Sequence, residues 1–251
     1  MSLLSVRREG HGSPFVWLHG FTQTSDSARA FRSILARSYE LWTLDLPGHG
    51  EAAGESGSLN EIADEVVRVL PNEPLAMGGY SFGARVALHV ALRHETHVNE
   101  LVVLGASRGL RDVSARARRR EHDEQLARRL EALGATQFLE EWLAQPLFAN
   151  LRPDEAELAA RSTDAEGLAS SLRRAGTGTQ EWLGSALGNI GCPTLALAGS
   201  RDRKFAHEAR AIARAVRHGT FDLIADAGHA AHLEQPERTA LRVASFLGAS
   251  G

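Results

Sequence analysis

The sequence predicts an α/β fold, in which a mostly parallel β-sheet carries helices on both faces and a helical cap is inserted near its middle. Short apolar runs with helical patterns between most of them indicate the sheet, because parallel strands buried on both faces read as continuous apolar stretches. These runs are PFVWLHG (14–20), LWTLDLPG (41–48), LAMGGYS (75–81), LVVLGAS (101–107), TLALAGS (194–200) and FDLIADAG (221–228). Functional residues should then cluster at the carboxyl ends of the strands.

The cap is indicated by residues 108–190, which are rich in Arg, Glu, Ala and Leu and contain no strand-like run. A structureless loop of that length is rare in a compact domain. Within it, ARARRREHDEQLARRLEAL (115–133) alternates charge at spacings that suit a helix with a solvated face. We therefore expect residues 1–107 and 191–251 to form the core and residues 108–190 to form the inserted cap.

Composition excludes several classes of protein. The chain is 43% hydrophobic and 24% charged with a formal net charge of −3, an ordinary globular balance without the basic excess of a nucleic-acid-binding protein. The first residues, MSLLSVRREG, are too short and too charged for a signal peptide, and no apolar run approaches the roughly 18 residues of a membrane span. The single cysteine, Cys192, cannot form an internal disulfide. We expect a cytoplasmic protein, a monomer or weak dimer, with no nucleic-acid or membrane partner.

A reactive serine is predicted where the third apolar run ends in GGYSFG, which contains G-x-S-x-G over residues 79–83. In a nucleophile elbow a tight strand-to-helix turn projects the serine hydroxyl, and small residues on both sides relieve the crowding. A second match, GASRG (105–109), is followed by polar sequence, whereas the first is followed by the apolar helical pattern ARVALHVAL (84–92). This context favours Ser81 over Ser107.

A serine hydroxyl needs a base within hydrogen-bond reach and a group that orients that base. His229 follows the last apolar run and a glycine, and Asp202 follows the run before it, which gives the chain order Ser, Asp, His. Asp222 and Asp226 lie closer to His229 in sequence and remain alternatives for the acid. For His232, three residues further on, we expect a structural role near the next helix start.

Two backbone N–H groups are the candidates for an oxyanion hole, the donor pair that stabilises developing negative charge. If the first apolar run ends its strand at His19 and Gly20, the N–H of Phe21 can face that of Phe82, the residue after the serine. Tyr80, just before the serine, is a candidate for substrate contact through its hydroxyl. No metal-ligand cluster or phosphate-binding glycine loop is present in the sequence, so we expect no metal and no cofactor.

Arg85 is unusual because it lies on a helix whose pattern is otherwise buried, four residues after Ser81 and on the same face. Burying a guanidinium is costly unless an anion or a hydrogen-bonding network compensates it. Two interpretations remain open: a bidentate clamp on a substrate carboxylate, or a structural ion pair with an acidic residue of the cap or a nearby loop.

These motifs resemble the α/β-hydrolase family over nearly the whole chain, since LHGF, LDLPGHG, GGYSFG, GSRD and GHAAH occur in family order. Within the family, GYSFGAR, EWLAQPLFANL, SRDRKF and GHAAHLEQP are similar to the synthases of menaquinone biosynthesis that eliminate pyruvate from an enolpyruvyl cyclohexene carboxylate. The resemblance implies a lyase in which the serine, backed by His and Asp, is a base rather than the site of an acyl intermediate.

The same resemblance implies how a small polycarboxylate substrate is held. Arg85 and Arg119 would orient its carboxylates, although a shift of one residue would substitute Arg118 or Arg120. Trp142 would close the pocket over the ring, and the N–H groups of the oxyanion hole would stabilise charge building on a substrate carboxylate. The alternatives are a carboxylesterase or carbon–carbon bond hydrolase with the same triad, and a non-catalytic ligand receptor on the same fold.

Overall fold

The computed structural model describes residues 4–248, so the ends of the two predicted core segments, residues 1–3 and 249–251, lie outside the described residues. The described strands are β1 (Val6–Gly10), β2 (Ser13–Leu18), β3 (Tyr39–Leu44), β4 (Leu75–Tyr80), β5 (Val98–Leu104), β6 (Pro193–Gly199) and β7 (His218–Ile224). They form a sheet in the order β1-β3-β2-β4-β5-β6-β7, in which β1 runs antiparallel to β3 and the other neighbours are parallel. The predicted α/β fold is confirmed, and the six apolar runs supply β2 to β7.

Helices cover both faces of this sheet. They are α1 (Arg29–Leu35), α2 (Leu59–Val69), α3 (Phe82–Arg93), α4 (Val113–Leu143), α5 (Glu155–Ala159), α6 (Ala165–Ala175), α7 (Arg203–Ala215), α8 (Ala231–Glu234) and α9 (Pro236–Leu247). Alternating strand residues face the two layers: Val16 packs in the cluster that holds α2, α3 and α7, and Trp17 packs in the cluster that holds α1 and α9. None of the helices within residues 4–248 is long and apolar enough to cross a membrane.

The helices between β5 and β6 begin at aspartates that cap them. The side chains of Asp112, Asp154 and Asp164 each accept the backbone N–H three residues further on, which satisfies a donor that the first helical turn leaves free. Helices α4 and α6 then pack on each other through a small apolar cluster of their own, to which Leu130 and Phe138 contribute from α4 and Leu168 and Leu172 from α6. We call residues 108–190 the cap segment.

Candidate active site

Ser81 lies in the sharp turn between β4 and α3. Its backbone has φ 50° and ψ −101°, an unfavourable conformation for a residue with a side chain, and its N–H donates to the carbonyl oxygen of Leu104 at 2.8 Å. Strain of this kind persists only where the surrounding structure holds it, and it is concentrated at functional sites. The turn therefore has the geometry of a nucleophile elbow.

The two glycines of the G-x-S-x-G pattern are required by close backbone contacts. A Cβ atom on Gly79 would lie 2.5 Å from the carbonyl carbon of Gly83, and one on Gly83 would lie 2.2 Å from the carbonyl oxygen of Leu18. Ser107, in the second match, instead lies in an irregular segment before α4, where its hydroxyl accepts the N–H of Gly109 at 3.1 Å. The second pattern is not an elbow.

The structure brings Ser81, His229 and Asp202 together at the carboxyl end of the sheet. The Nε2 atom of His229 lies 3.2 Å from Ser81 Oγ, and its Nδ1 atom lies 2.8 Å from Asp202 Oδ2. Asp202 also caps α7, because its other carboxylate oxygen accepts the N–H of Phe205 at 3.1 Å. With Nδ1–H donated to the carboxylate, the lone pair of Nε2 faces the serine hydroxyl, the arrangement that activates it.

The other candidate acids are engaged elsewhere. Asp222 pairs with Arg242 at 2.6 Å, and Asp226 lies between Arg201 and Arg238, at 3.2 Å from each. Among the groups that the structure describes, Asp202 is thus the carboxylate that contacts His229.

His232 is fully buried beside the triad without contacting Ser81. Its ring centre lies 4.2 Å from that of Tyr80, and its Nε2 atom lies 3.2 Å from the side-chain nitrogen of Gln23. Burial lowers the pKa of His232 well below its usual value, and it raises the pKa of the Tyr80 phenol. The imidazole is therefore neutral at physiological pH and packs at the start of α8.

The candidate oxyanion donors both border the cavity that contains Ser81. Within residues 4–248, neither the N–H of Phe21 nor that of Phe82 is used in a hydrogen bond. The rings of both residues pack on His49, edge-on for Phe21 at 5.6 Å and stacked for Phe82 at 5.4 Å between ring centres. Both N–H groups are thus without an acceptor among the described residues, and both belong to residues that line the cavity.

The cavity around Ser81 has a volume of about 190 Å³ and is enclosed jointly by the core and the cap segment. Its charged lining residues are Arg85, Arg119, Lys204 and Glu208. Glu208 is neutralised by Arg108, whose guanidinium lies 3.1 Å away. Arg119 is paired in turn with Asp123, so the balance of charge that remains around the serine comes from Arg85 and Lys204 and is positive, which suits an anionic ligand.

Arg85 is buried at 9% exposure and has no carboxylate partner among residues 4–248. Its Nη1 atom donates to the carbonyl oxygen of Ala175 at 2.9 Å and to the amide oxygen of Gln180 at 3.4 Å. Burial and the nearby Arg119 lower its pKa to about 10, so the guanidinium stays charged at neutral pH. A direct ion pair with an acidic residue, which the sequence left open, is not observed within residues 4–248, although the charge of Asp123 on α4 acts on Arg85 and raises its pKa against these two effects.

Arg119 is the member of the arginine cluster that reaches the cavity. It is half-buried and pairs with Asp123 at 2.7 Å, whereas Arg118 and Arg120 are exposed and do not line the cavity. Trp142 forms another part of the wall, with its ring 5.1 Å from that of Phe21.

Sequence reasoning missed Arg161 and Lys204. Arg161 is buried and lines a second, smaller cavity of about 30 Å³ that also borders Tyr80 and Ser81. Nothing in its local sequence, AARSTDAEG, marks it, because the residues that bury it come from other parts of the chain. Lys204 lies in the first turn of α7 at the exposed rim of the larger cavity. Its position two residues after Asp202 was the sequence feature that could have indicated its place near the site.

The fold is that of an α/β enzyme, and residues 15–242 match the model of the alpha/beta hydrolase family. The chain belongs to this family, as its motifs predicted. The 2-succinyl-6-hydroxy-2,4-cyclohexadiene-1-carboxylate synthase of Yersinia pestis bv. Antiqua is 32% identical over 97% of this chain and 90% of its own length. A synthase of the same name from Yersinia pseudotuberculosis shows the same identity and coverage.

Solved structures agree with this assignment. MenH from S. aureus has a TM-score of 0.91 at 28% identity and covers 99% of both chains. A thermophilic esterase from Thermogutta terrifontis has a TM-score of 0.83 at 25% identity, covering 98% of this chain and 93% of its own. The chain is therefore similar both to synthases of this name and to an esterase.

Proposed function

We propose that this enzyme eliminates pyruvate from 2-succinyl-5-enolpyruvyl-6-hydroxy-3-cyclohexene-1-carboxylate, with Ser81 as the base. The observation that carries the proposal is Arg85, a buried cation without a carboxylate partner at the wall of the serine cavity. Its two acceptors within the described residues are neutral and both engage Nη1, whereas a bound carboxylate would compensate the desolvated charge with bidentate hydrogen bonds. The synthases at 32% identity support this choice of substrate.

The distribution of cations around Ser81 also fits a polycarboxylate. Arg85 and Arg119 line the larger cavity, and Arg161 lines the smaller one, while Ser81 borders both. The substrate carries carboxylates on its ring, its succinyl group and its enolpyruvyl group. Guanidinium groups on two sides can therefore orient it with the reacting ring at the serine.

The geometry supports a proton abstraction that needs no covalent intermediate. Nε2 of His229 accepts the hydroxyl proton while Ser81 Oγ removes the proton from the ring carbon that bears the succinyl group. The electron pair of that C–H bond forms a new ring double bond. The existing ring double bond shifts by one position toward the carbon that bears the enolpyruvyl group, and the bond between that ring carbon and the ether oxygen breaks. The released enolpyruvate takes up a proton and becomes pyruvate.

Negative charge develops during this step on the succinyl ketone oxygen, next to the deprotonated carbon, rather than on a carboxylate. The amides of Phe21 and Phe82, which line the cavity, would stabilise it. Asp202 holds the imidazole in the tautomer that accepts the serine proton. Trp142 and Tyr80 would contact the ring from the walls of the two cavities.

The test compares pyruvate release from this substrate with hydrolysis of a short neutral ester, for wild type and Ser81→Ala. We expect efficient pyruvate release that falls at least about 10³-fold in the variant, with negligible ester hydrolysis. Ser107→Ala, which removes the hydroxyl of the second G-x-S-x-G pattern, should retain most of the activity. Ester hydrolysis without pyruvate release would reject the lyase and favour an esterase like the Thermogutta terrifontis neighbour.

A further inference from the structure

The amide of Phe21 belongs to a strained turn. The N–H of Gln23 donates to the carbonyl oxygen of Gly20 at 3.1 Å, so that Phe21 and Thr22 are the central residues of the turn. Thr22 has φ 69°, which is unfavourable for a β-branched side chain. Other groups must hold this turn, because an isolated chain would leave that conformation.

The groups that hold Thr22 come from the cap segment. Its carbonyl oxygen accepts the N–H of Ser162 at 2.8 Å, and its hydroxyl accepts a hydrogen bond from Arg161 Nη1 at 2.8 Å. The carbonyl oxygen of Ala160 binds the same loop through the hydroxyl of Thr24 at 2.7 Å. The cap segment therefore contacts the strained residue on both its backbone and its side chain.

Glu157, on α5, connects these contacts. One carboxylate oxygen accepts the N–H of Ala28 at 2.7 Å, while the other faces Gln23 Nε2 at 3.4 Å and Arg161 Nη2 at 3.3 Å. The side-chain oxygen of Gln23 in turn accepts the N–H of Gly20 at 2.8 Å. With only 10% of its side chain exposed, Glu157 ties both ends of the loop 20–28 to the cap segment.

We propose that Glu157 is a positioning residue of the cap segment, which holds the turn 20–23 in the strained form that aims the Phe21 amide at the serine cavity. The chemistry served by that amide rests on the proposed function, but the same donor would serve ester hydrolysis. Arg161 is held by the same carboxylate. A single side chain of the cap segment, that of Glu157, thus positions both the Phe21 amide and the guanidinium of Arg161.

Glu157→Gln is the informative substitution, because it keeps the size of the side chain and replaces one acceptor oxygen with an NH₂ donor. Either the N–H of Ala28 or the pair formed by Gln23 and Arg161 then faces a donor. Glu155→Gln is the matched control, since it removes the same charge from an exposed position on the same helix.

In the kinetic test we expect Glu157→Gln to lower kcat about 10- to 100-fold with a smaller change in KM, because oxyanion donors act in the transition state. Glu155→Gln should match wild type. A rise in KM alone, with kcat unchanged, overturns the proposal, since Glu157 would then act only on the charge of Arg161.

Amide hydrogen exchange tests the positioning without reference to the reaction. Glu157→Gln should accelerate exchange in residues 19–28 and leave residues 75–93 unchanged, whereas unchanged exchange in 19–28 overturns the proposal. If wild type hydrolyses the ester but releases no pyruvate, the proposed function fails, while exchange and ester kcat still decide the role of Glu157.

A second pair of variants keeps the inference testable if Glu157→Gln folds poorly. Thr22→Val removes the hydroxyl that accepts from Arg161, and Thr22→Ser retains it. We expect Thr22→Ser to preserve kcat and Thr22→Val to lower it by about tenfold or more. Equal activity of these two variants also overturns the proposal.

Discussion

At the scale of single residues, Arg85 combines a role in binding with a cost in stability. Its guanidinium is desolvated and has two neutral hydrogen-bond acceptors in place of a carboxylate. Its replacement by an apolar side chain of similar length removes a desolvated charge from the folded state, but it also takes a donor away from the carbonyl oxygen of Ala175. Replacing Arg85 should therefore change substrate binding more than stability.

We predict that Arg85→Met lowers kcat/KM for pyruvate release at least about tenfold, because a charged hydrogen bond to a carboxylate is lost. The free energy of unfolding should fall by no more than about 2 kcal/mol, because the lost hydrogen bond to Ala175 is offset by the removal of a desolvated charge. Arg93→Met, at an exposed position on the same helix, is the control and should leave kcat/KM unchanged. Full activity of Arg85→Met would show that the guanidinium does not bind substrate.

The positions of Ser81, Asp202 and His229 could be predicted because each follows an apolar run, and parallel strands bring their carboxyl ends to one edge. The position of Arg161 could not be predicted from the sequence, because its burial depends on packing between the cap segment and the loop after β2. Local sequence indicates whether a segment is a strand or a helix and where it ends, but it does not indicate which distant segment will pack against it.

At the scale of secondary structure, α4 is broken at Gly134. Its backbone there has φ 76° and ψ 164°, a region that is essentially restricted to glycine. Arg129 and Glu141 form an ion pair at 2.5 Å although they are separated by 12 positions, which would be about 18 Å in a straight helix. The second half of α4 thus folds back, which positions Trp142 at the serine cavity.

We predict that Gly134→Ala destabilises the protein by about 1–3 kcal/mol and lowers kcat/KM, because a Cβ atom disfavours the broken conformation even though the space around it is open. Ala132→Gly, two residues earlier in a helical and exposed position, should cost about 1 kcal/mol through helix propensity without displacing Trp142. Thermal unfolding and kcat/KM measured on both variants separate these effects. Equal kcat/KM for the two would contradict a positioning role of the break.

The sequence predicted a helix over 115–133 from its charge spacing, and α4 contains that stretch. It did not predict the fold-back, because a lone glycine is tolerated in many helices. What distinguishes Gly134 is the contact between the two halves of α4, which is visible only once the chain is folded.

At the scale of the whole molecule, buried neutral histidines link stability to pH. Burial, the largest cause in each case, lowers the pKa of His49 to about 3 and that of His89 to about 4, and it also lowers the pKa of His19 and, more strongly, that of His232. In the unfolded chain these groups titrate near pH 6.5. Below that pH the unfolded state binds more protons than the folded state, so acidification removes stability until the folded-state pKa values are reached.

Four such groups give a slope of at most about 5.5 kcal/mol per pH unit near pH 5, since each proton contributes about 1.4 kcal/mol per unit. His89→Leu should reduce that slope by the contribution of up to one proton, about 1.4 kcal/mol per pH unit. It removes a group whose pKa is lowered by burial and by the nearby charges of Arg85 and Arg93. Its partner Asn60, at 2.8 Å, is exposed and can turn to water. Denaturant unfolding at pH 7.5, 6 and 5 measures the slope, with the exposed His122→Leu as control. If His89→Leu and wild type lose stability in parallel on acidification, His89 is protonated in the folded state, and the acid sensitivity comes from other groups.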